Sequence, residues 1–308
     1  MVKPLRPHPH LRADRFHLLN DSADPRAAVV TDTKVTAHFD AGAIIFREME
    51  PETEPSYDNE LLKVHLALAA EALPGPDYYS VLRWLHELLR PERYLEVGIR
   101  QGDSLRLALP ETKCIGIDPA PLLQEPLPPN TRLFAMTSNQ FFESQSLADI
   151  WGVNTFSLAF VDGLHLFEQA LLDFAHLERL ATPASIIIIH DCLPLEATTS
   201  ERARSTHFYS GDVWKLALCL KNRRPDLKIK TIRTGPTGLC VVGNLQCQTD
   251  LSFRMYGEYV AEYLPLQFAD YKNRLGEMPE TVENTLEALA LCIADLVHDS
   301  TCSGGAIP

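Results

Sequence analysis

The sequence predicts an α/β protein, a doubly wound and mainly parallel sheet with an antiparallel last strand and extensions at both ends. Three observations predict it. From Tyr94 to Asp191, short near-continuous apolar runs alternate with segments of helical periodicity, the pattern of parallel strands joined by crossover helices. One run, "ASIIIIHD", carries four consecutive isoleucines, which need cover on both faces of a sheet. Further on, "LKIKTIRTGPTGLCVVGNL" reads as two strands around Gly235-Pro236-Thr237-Gly238. The sheet therefore ends in a hairpin, with one strand antiparallel.

The elements follow in order. Residues 1–76 read as an N-terminal extension, a lid or a set of oligomer contacts. It is irregular to about residue 56, apart from one strand-like piece, "KVTAHFDAGAIIF", and closes on the acidic "REMEPETEPSYDNE". Helices are predicted in "YDNELLKVHLALAAEAL", with Asp58 or Asn59 as N-cap, and in "PDYYSVLRWLHELL", with Asp77 as N-cap. A strand at Tyr94–Val97 runs into a glycine turn and a helix from about Ser104. Then come strands "KCIGID" and "TRLFAM", partly helical "SNQFFESQSLADIWG", strand "FSLAFVDG", helix "HLFEQALLDFAHLERL" and strand "ASIIIIHD". Residues 77–247 are taken as the central domain. Residues 248–308 form a C-terminal extension, helical in "FRMYGEYVAEYLPLQFADYKNRL" and "PETVENTLEALALCIADLVHD", with "TCSGGAIP" as a mobile end.

Composition excludes some classes. The 308 residues are 45% hydrophobic and 22% charged, with a formal net charge of −13. That balance disfavours a nucleic-acid partner, whose backbone is bound by clustered Lys and Arg. Seven cysteines without a CxxC pair suit a reducing cytoplasm better than a disulfide scaffold or a zinc site. No apolar run reaches the ~20 residues of a membrane helix, and "MVKPLRPHPHLRADRF" lacks the apolar core of a signal peptide. The expectation is a soluble cytoplasmic protein with no membrane contact.

The stretch "RYLEVGIRQGDSLRLAL" places Glu96 two residues before Gly98, with Gly102 four residues further on. Glycine at both positions lets the backbone turn sharply and approach a ligand. Asp118 ends the next strand, twenty residues past Gly98, where a carboxylate can accept both ribose hydroxyls. A dinucleotide fingerprint needs a middle glycine for the pyrophosphate, and Arg100 stands there. An acid at Glu96 would repel a pyrophosphate but suits the amino group of a methionine moiety. The loop favours S-adenosylmethionine (SAM) over NAD, the bland alternative being an ordinary βα turn.

Two strand ends carry further polar groups. "FVDGLH" places Asp162 at one end and His165 three residues on; "IIIIHDC" places His190 and Asp191 at the other. Neighbouring strand ends would bring the four over one crevice. Asp162, His190 and Asp191 are plausible ligands for Mg²⁺ or another divalent cation, leaving His165 as a general base. Each also has a plain reading: helix caps for the acids, a hydrogen-bonded strand-end residue for His190, a helix-opening residue for His165.

Together "YLEVGIRQGDS", "IGIDP", "FVDGLHLFEQALLDF", "IIIIHDC" and "GDVWK" resemble class I SAM-dependent methyltransferases. Within them the nearest group is the one with macrolide-sugar O-methyltransferases and cephalosporin-tailoring relatives. The resemblance covers roughly Asp77 to Asn244. It implies a seven-stranded Rossmann-like sheet with an antiparallel last strand. It also implies that Glu96, Gly98 and Gly102 line the methionine end of the cofactor and Asp118 its ribose. Ser138, at the end of the third strand beside Asn139, becomes a candidate for the adenine edge, and Asp162 lies against the cofactor as well. In metal-dependent relatives an acidic or amide pair ends the fifth strand; here it is His190-Asp191. The implied reaction is O-methylation of a sugar or small natural product. His165 takes the hydroxyl proton as the oxygen attacks the sulfonium methyl, and a metal at Asp162 and Asp191 assists. The competing readings are an NAD(P)-dependent oxidoreductase and a non-catalytic cofactor-binding scaffold, and a homo-oligomer is compatible with all three.

After "IIIIHDC", the loop "RARSTHFYSGDVWKLAL" is expected beside the active site, with His207, Tyr209, Asp212 and Lys215 available to an acceptor. Trp214 is read instead as core, burying the front of a helix with Val213 and Leu216.

Overall fold

Asp58 rather than Asn59 caps the helix α1 (Asn59–Ala72), its carboxylate accepting from Glu60 N at 2.8 Å. Asp77 caps α2 (Tyr78–Leu89) by accepting from Ser80 N at 2.9 Å. These helices belong to a computed structural model that describes residues 58–246 and 249–297, together with the backbone of β1 (Lys34–Asp40) and β2 (Ala43–Met49). The single strand-like piece expected at 34–46 is two antiparallel strands, paired from Lys34↔Met49 to Asp40↔Ala43. The expectations for residues 1–33 and for "TCSGGAIP" lie outside the described residues.

The sheet is built from β3 (Arg93–Val97), β4 (Lys113–Ile117), β5 (Thr131–Phe134), β6 (Leu158–Val161), β7 (Ile186–His190), β8 (Lys228–Arg233), β9 (Leu239–Gly243) and β10 (Glu280–Glu283). Its order is β10-β8-β9-β7-β6-β3-β4-β5. β9 runs antiparallel to both neighbours, and every other pairing is parallel. The fold is Rossmann-like. The seven strands expected are there, and β10, from the C-terminal extension, adds an eighth. Between them lie α3 (Ser138–Ser144), α4 (Leu147–Trp151), α5 (Phe167–Glu178), α6 (Trp214–Arg223), α7 (Leu251–Tyr263), α8 (Phe268–Asn273) and α9 (Leu286–Val297).

The isoleucines of β7 show why the strand is central. All four are fully buried. Ile187 and Ile189 join one core with α5, α6 and α7, while Ile186 and Ile188 join the other with α2 and α9. Each contributes about 2–3 kcal/mol of burial. Strand order reverses between β3, which continues to β4 and β5, and β6, which continues to β7. A doubly wound sheet opens its ligand crevice at such a point.

Two expected helices are corrected. The chain after Ser104 forms only a 3₁₀ turn, Leu105–Leu107. Ala108 is already extended, at φ −59° and ψ 142°, and Pro110 follows too soon for an α-helix to grow. Residues 280–283 were expected to be helical and instead form β10, parallel to β8 from Glu280↔Lys230 to Glu283↔Arg233. The β-branched Thr281 and Val282 suit an edge strand, and Lys230 Nζ holds Glu280 Oε2 at 2.6 Å. Among the described residues, no helix is long and apolar enough to cross a membrane.

His86 sits in the core below β3, without accessible surface and edge-on to Tyr94 at 4.6 Å between ring centroids. Neither ring nitrogen has a hydrogen-bond partner, and burial pushes its pKa down to about 4. The unfolded chain takes up this proton near pH 6.5 and the folded chain only near 4, so stability rises with pH across that window. His86→Leu is expected to remove about 2–3 kcal/mol of the stability difference between pH 7 and pH 4.5. Denaturant titration of both proteins at the two pH values checks it; parallel losses would refute it.

Candidate active site

The turn after β3 is shaped by contact with the next strand end. Gly98 has φ +82°, and a Cβ there would lie 2.0 Å from the carbonyl oxygen of Asp162. The two segments are zipped by Asp162 N donating to Val97 O at 2.8 Å. Arg100 follows at φ +42°. The amides of Ile99 and Arg100 donate to Asp118 Oδ2 at 3.1 and 2.8 Å, and Ala120 N donates to Oδ1 at 2.8 Å. The carboxylate assigned from sequence to a ribose thus also braces the glycine turn. Its one remaining lone pair, on Oδ1, leaves room for a hydroxyl.

Glu96 has no accessible surface. Tyr94 Oη donates to Glu96 Oε2 at 2.7 Å, and Ser104 Oγ donates to Oε1. Burial pushes the carboxyl up to about 8, so it is neutral at pH 7 until a cation is set against it. Ser138 opens α3 instead of ending a strand, with Thr137 as its cap. Its hydroxyl accepts from Gln169 Nε2 at 3.3 Å, and the same amide reaches Asn139 Oδ1 at 3.2 Å and Asp173 Oδ1 at 3.0 Å. Gln169 and Asp173 were missed; the signal was two polar residues four apart within the apolar face of "HLFEQALLDFAHLERL".

The acids and histidines do converge. Asp162 directly follows β6 and Asp191 directly follows β7, its backbone in the left-handed region at φ +62°. His190 Nδ1 lies 3.1 Å from Asp162 Oδ1 and 3.5 Å from Asp191 Oδ1. His165 Nδ1 lies 3.0 Å from Asp191 Oδ2 and 3.1 Å from the carbonyl of Tyr209, and its Nε2 is 3.5 Å from Asp162 Oδ1. Burial alone would raise both acids and lower both histidines, but their mutual attraction wins. Asp162 is held down at about 2 and Asp191 lower still; His165 is pushed up to about 10, and His190 also lies well above its usual value. His165, which the sequence places near 6.5, is therefore an imidazolium between two carboxylates.

Thr237 Oγ1, from the β8–β9 turn, donates to Asp191 Oδ1 at 2.6 Å and faces His190 Nε2 at 3.4 Å. Sequence reading used that turn only to mark a hairpin. A small cavity lined by Asp162, Gly163, His165, His190 and Asp191 opens at the cluster. Carboxylate oxygens of Asp162 and Asp191 and a nitrogen of His165 lie within 4.8 Å of one another. This donor set fits a divalent cation, and the convergent nitrogen is His165 where sequence reading chose His190.

The loop before α6 also differs from expectation. Asp212 and Lys215 are buried and paired at 2.8 Å. Asp212 Oδ1 accepts from Phe167 N at 2.7 Å, capping α5, and Lys215 Nζ reaches Leu264 O at 2.9 Å. Their polar atoms are spent on the fold and do not face an acceptor. Trp214 is buried as expected, edge-on to Tyr271. Tyr209 lies parallel to the His165 ring, with 5.7 Å between centroids.

A glycine turn braced by a strand-end acid thus lies beside two further acids at the switch point of a Rossmann-like sheet. Residues 95–192 match the methyltransferase domain family, a span from Leu95 on β3 to Cys192 just past Asp191. No curated protein matches the chain. Among solved structures, the O-methyltransferase TomG of Streptomyces achromogenes, in complex with SAM, is 18% identical, with 63% of this chain and 93% of that chain covered and a TM-score of 0.42. The O-methyltransferase of Bacillus cereus, in complex with SAH, is 14% identical, with 62% and 92% covered and a TM-score of 0.40. The methyltransferase PaMTH1 of Podospora anserina, also bound to SAH, is 13% identical, with 63% and 97% covered and a TM-score of 0.41.

The glycines differ in what a side chain would meet. Gly98→Ala sets a methyl against backbone at 2.0 Å, whereas Gly102→Ala, at φ +80°, meets only the ends of Leu127, Leu123 and Arg106. Gly102→Ala should cost about 1–2 kcal/mol for its backbone conformation, and Gly98→Ala at least about 2 kcal/mol more. Denaturant unfolding of the two variants measures the order; equal costs would mean that the contact with Asp162 is relaxed in solution.

Proposed function

We propose that this chain is a SAM-dependent O-methyltransferase acting on a hydroxyl of a sugar or small natural product, with His165 as general base. The observation that carries the reading is the seating of His165. Its Nδ1 is tied to Asp191 and to the carbonyl of Tyr209, while Nε2 has only the longer contact to Asp162, at 3.5 Å. Two acceptors at Nδ1 hold the proton there, so Nε2 is the nitrogen that must first release its own proton and can then take one from an acceptor hydroxyl. An acceptor hydroxyl entering between Nε2 and Asp162 would displace that long contact and weaken the hold of Asp162 on the imidazolium.

The match over residues 95–192 and the acid two residues before Gly98 support SAM as the methyl donor. In this reading Gly98 and Gly102 admit the methionine end, Glu96 closes it, Asp118 takes a ribose hydroxyl and Ser138 lies toward the adenine. The sulfonium carries the activated methyl, so the chain's task is to orient the acceptor oxygen and remove its proton. A divalent cation held by Asp162 and Asp191 would supply Lewis-acid polarisation of that oxygen. Asp162 otherwise orients the hydroxyl directly.

Calorimetric titration with SAM, with NADH as control and with and without Mg²⁺, tests the donor. Saturable binding of SAM alone is expected; binding of NADH alone would overturn the reading. His165→Ala should keep SAM affinity and lower methyl transfer to a panel of hydroxylated sugars and small natural products by about 10²- to 10⁴-fold. Transfer at the wild-type rate would remove His165 as the base.

A further inference from the structure

The first turn of α2 was read from sequence only as a helix start, yet it faces the site. Tyr78 lies against His190 with ring centroids 4.4 Å apart, and Tyr79 lies against Tyr78 at 4.1 Å, the planes tilted by 36° and 32°. Consecutive helix residues point about 100° apart, so two neighbouring rings in contact have both been turned toward one place. The result is a stack running outward from the acid–histidine cluster, in the order His190, Tyr78, Tyr79. Both tyrosines are half-buried, and Tyr79 ends the stack.

The surroundings of the stack are acidic. Burial first, then the charge of Asp162, raises the Tyr78 hydroxyl. Burial raises that of Tyr79 as well, and the acids that add to it are Asp103, Asp162 and Glu96. Tyr79 therefore lies within electrostatic reach of both the glycine turn and the β6 end. Its mounting is rigid. Tyr78 N donates to Gly235 O at 2.9 Å, Thr234 Oγ1 donates to Pro76 O at 2.8 Å, and Asn284 Nδ2 donates to Pro76 O at 3.0 Å. The same β8–β9 turn holds Asp191 through Thr237.

We propose that Tyr79, backed by Tyr78, is an aromatic platform for the positively charged sulfonium of the cofactor, a role that rests on the SAM reading above. A π face among carboxyl groups attracts a cation, and a weakly hydrated organic cation more than a small metal ion, which prefers oxygen ligands. The sulfonium lies between the methionine and ribose ends of the cofactor. Tyr79, next to Tyr78 and so to the acid–histidine cluster, is within electrostatic reach of Glu96 and Asp103 on either side of the turn assigned to those ends. Clamping to the sheet means that little side-chain freedom is lost on binding. The platform favours the charged donor over its uncharged product, so it also favours release after transfer.

Wild type, Tyr79→Leu and Tyr79→Phe are titrated calorimetrically with SAM and with S-adenosylhomocysteine, which lacks the charge. Tyr79→Leu is expected to weaken SAM about five- to thirtyfold and the thioether by no more than about twofold, while Tyr79→Phe keeps both affinities. Retained thioether binding shows that the variant is folded; if Leu abolishes it, Tyr79→Gln repeats the test. An equal loss for both ligands, no loss for either, or a Phe variant as weak as Leu would overturn the platform. Wild type binding neither ligand would instead sink the cofactor reading itself.

Discussion

The backbone of Gly98 passes so close to the carbonyl of Asp162 that no side chain fits between them. That contact sets the spacing between the β3 turn and the β6 end at the switch point of the sheet. It fixes how near a ligand held by the turn lies to Asp162, and through Asp162 to the histidines. Asp118 acts from the other side, accepting two amides of the turn and holding Arg100 in a conformation unusual for a residue with a Cβ. The glycine turn is thus a rigid part clamped between two strand-end acids.

A second constraint is charge. Asp162, Asp191, His165 and His190 are taken from water together, and each charge persists because its neighbours carry the opposite one. Removing one member of such a set leaves the others unpaired in a poorly solvated place, which is far costlier than losing a surface ion pair. Thr237 supplies the neutral donor that the second oxygen arrangement of Asp191 requires. The β8–β9 turn that bears it also grips the segment before α2. The hairpin that ends the sheet is therefore joined to both the chemistry and the aromatic stack above it.

The chain after β9 completes the sheet rather than trailing from it. β10 pairs with β8, α9 covers one core through Leu289, Cys292 and Leu296, and α7 packs through Tyr256, Tyr259 and Tyr263 on the other. Tyr256 Oη donates to Glu168 O in the first turn of α5, and Lys215, paired with Asp212, reaches the end of α7. These contacts steady α5, the helix that follows the turn bearing Asp162 and His165, so the described part of the C-terminal segment bears on the site through α5.

Local pattern alone determined the parallel sheet, the caps Asp58 or Asn59 and Asp77, the terminal hairpin and the strand ends where Asp162, His190 and Asp191 stand. Such features depend on period-two or period-3.6 burial and on residues whose backbone preferences are strong. Tertiary structure decided the rest. Whether 280–283 is helix or edge strand depended on the vacant edge of β8, which no local window contains. Whether Asp212 and Lys215 faced a ligand or the fold depended on the amide of Phe167, 45 residues away in sequence. The proton on His165 depended on two carboxylates brought from different strands, and the neutrality of Glu96 on its burial under Tyr94 and Ser104. Sequence names the groups that can carry charge; only their packing sets how much water and which partners each one keeps, and that balance fixes their chemistry.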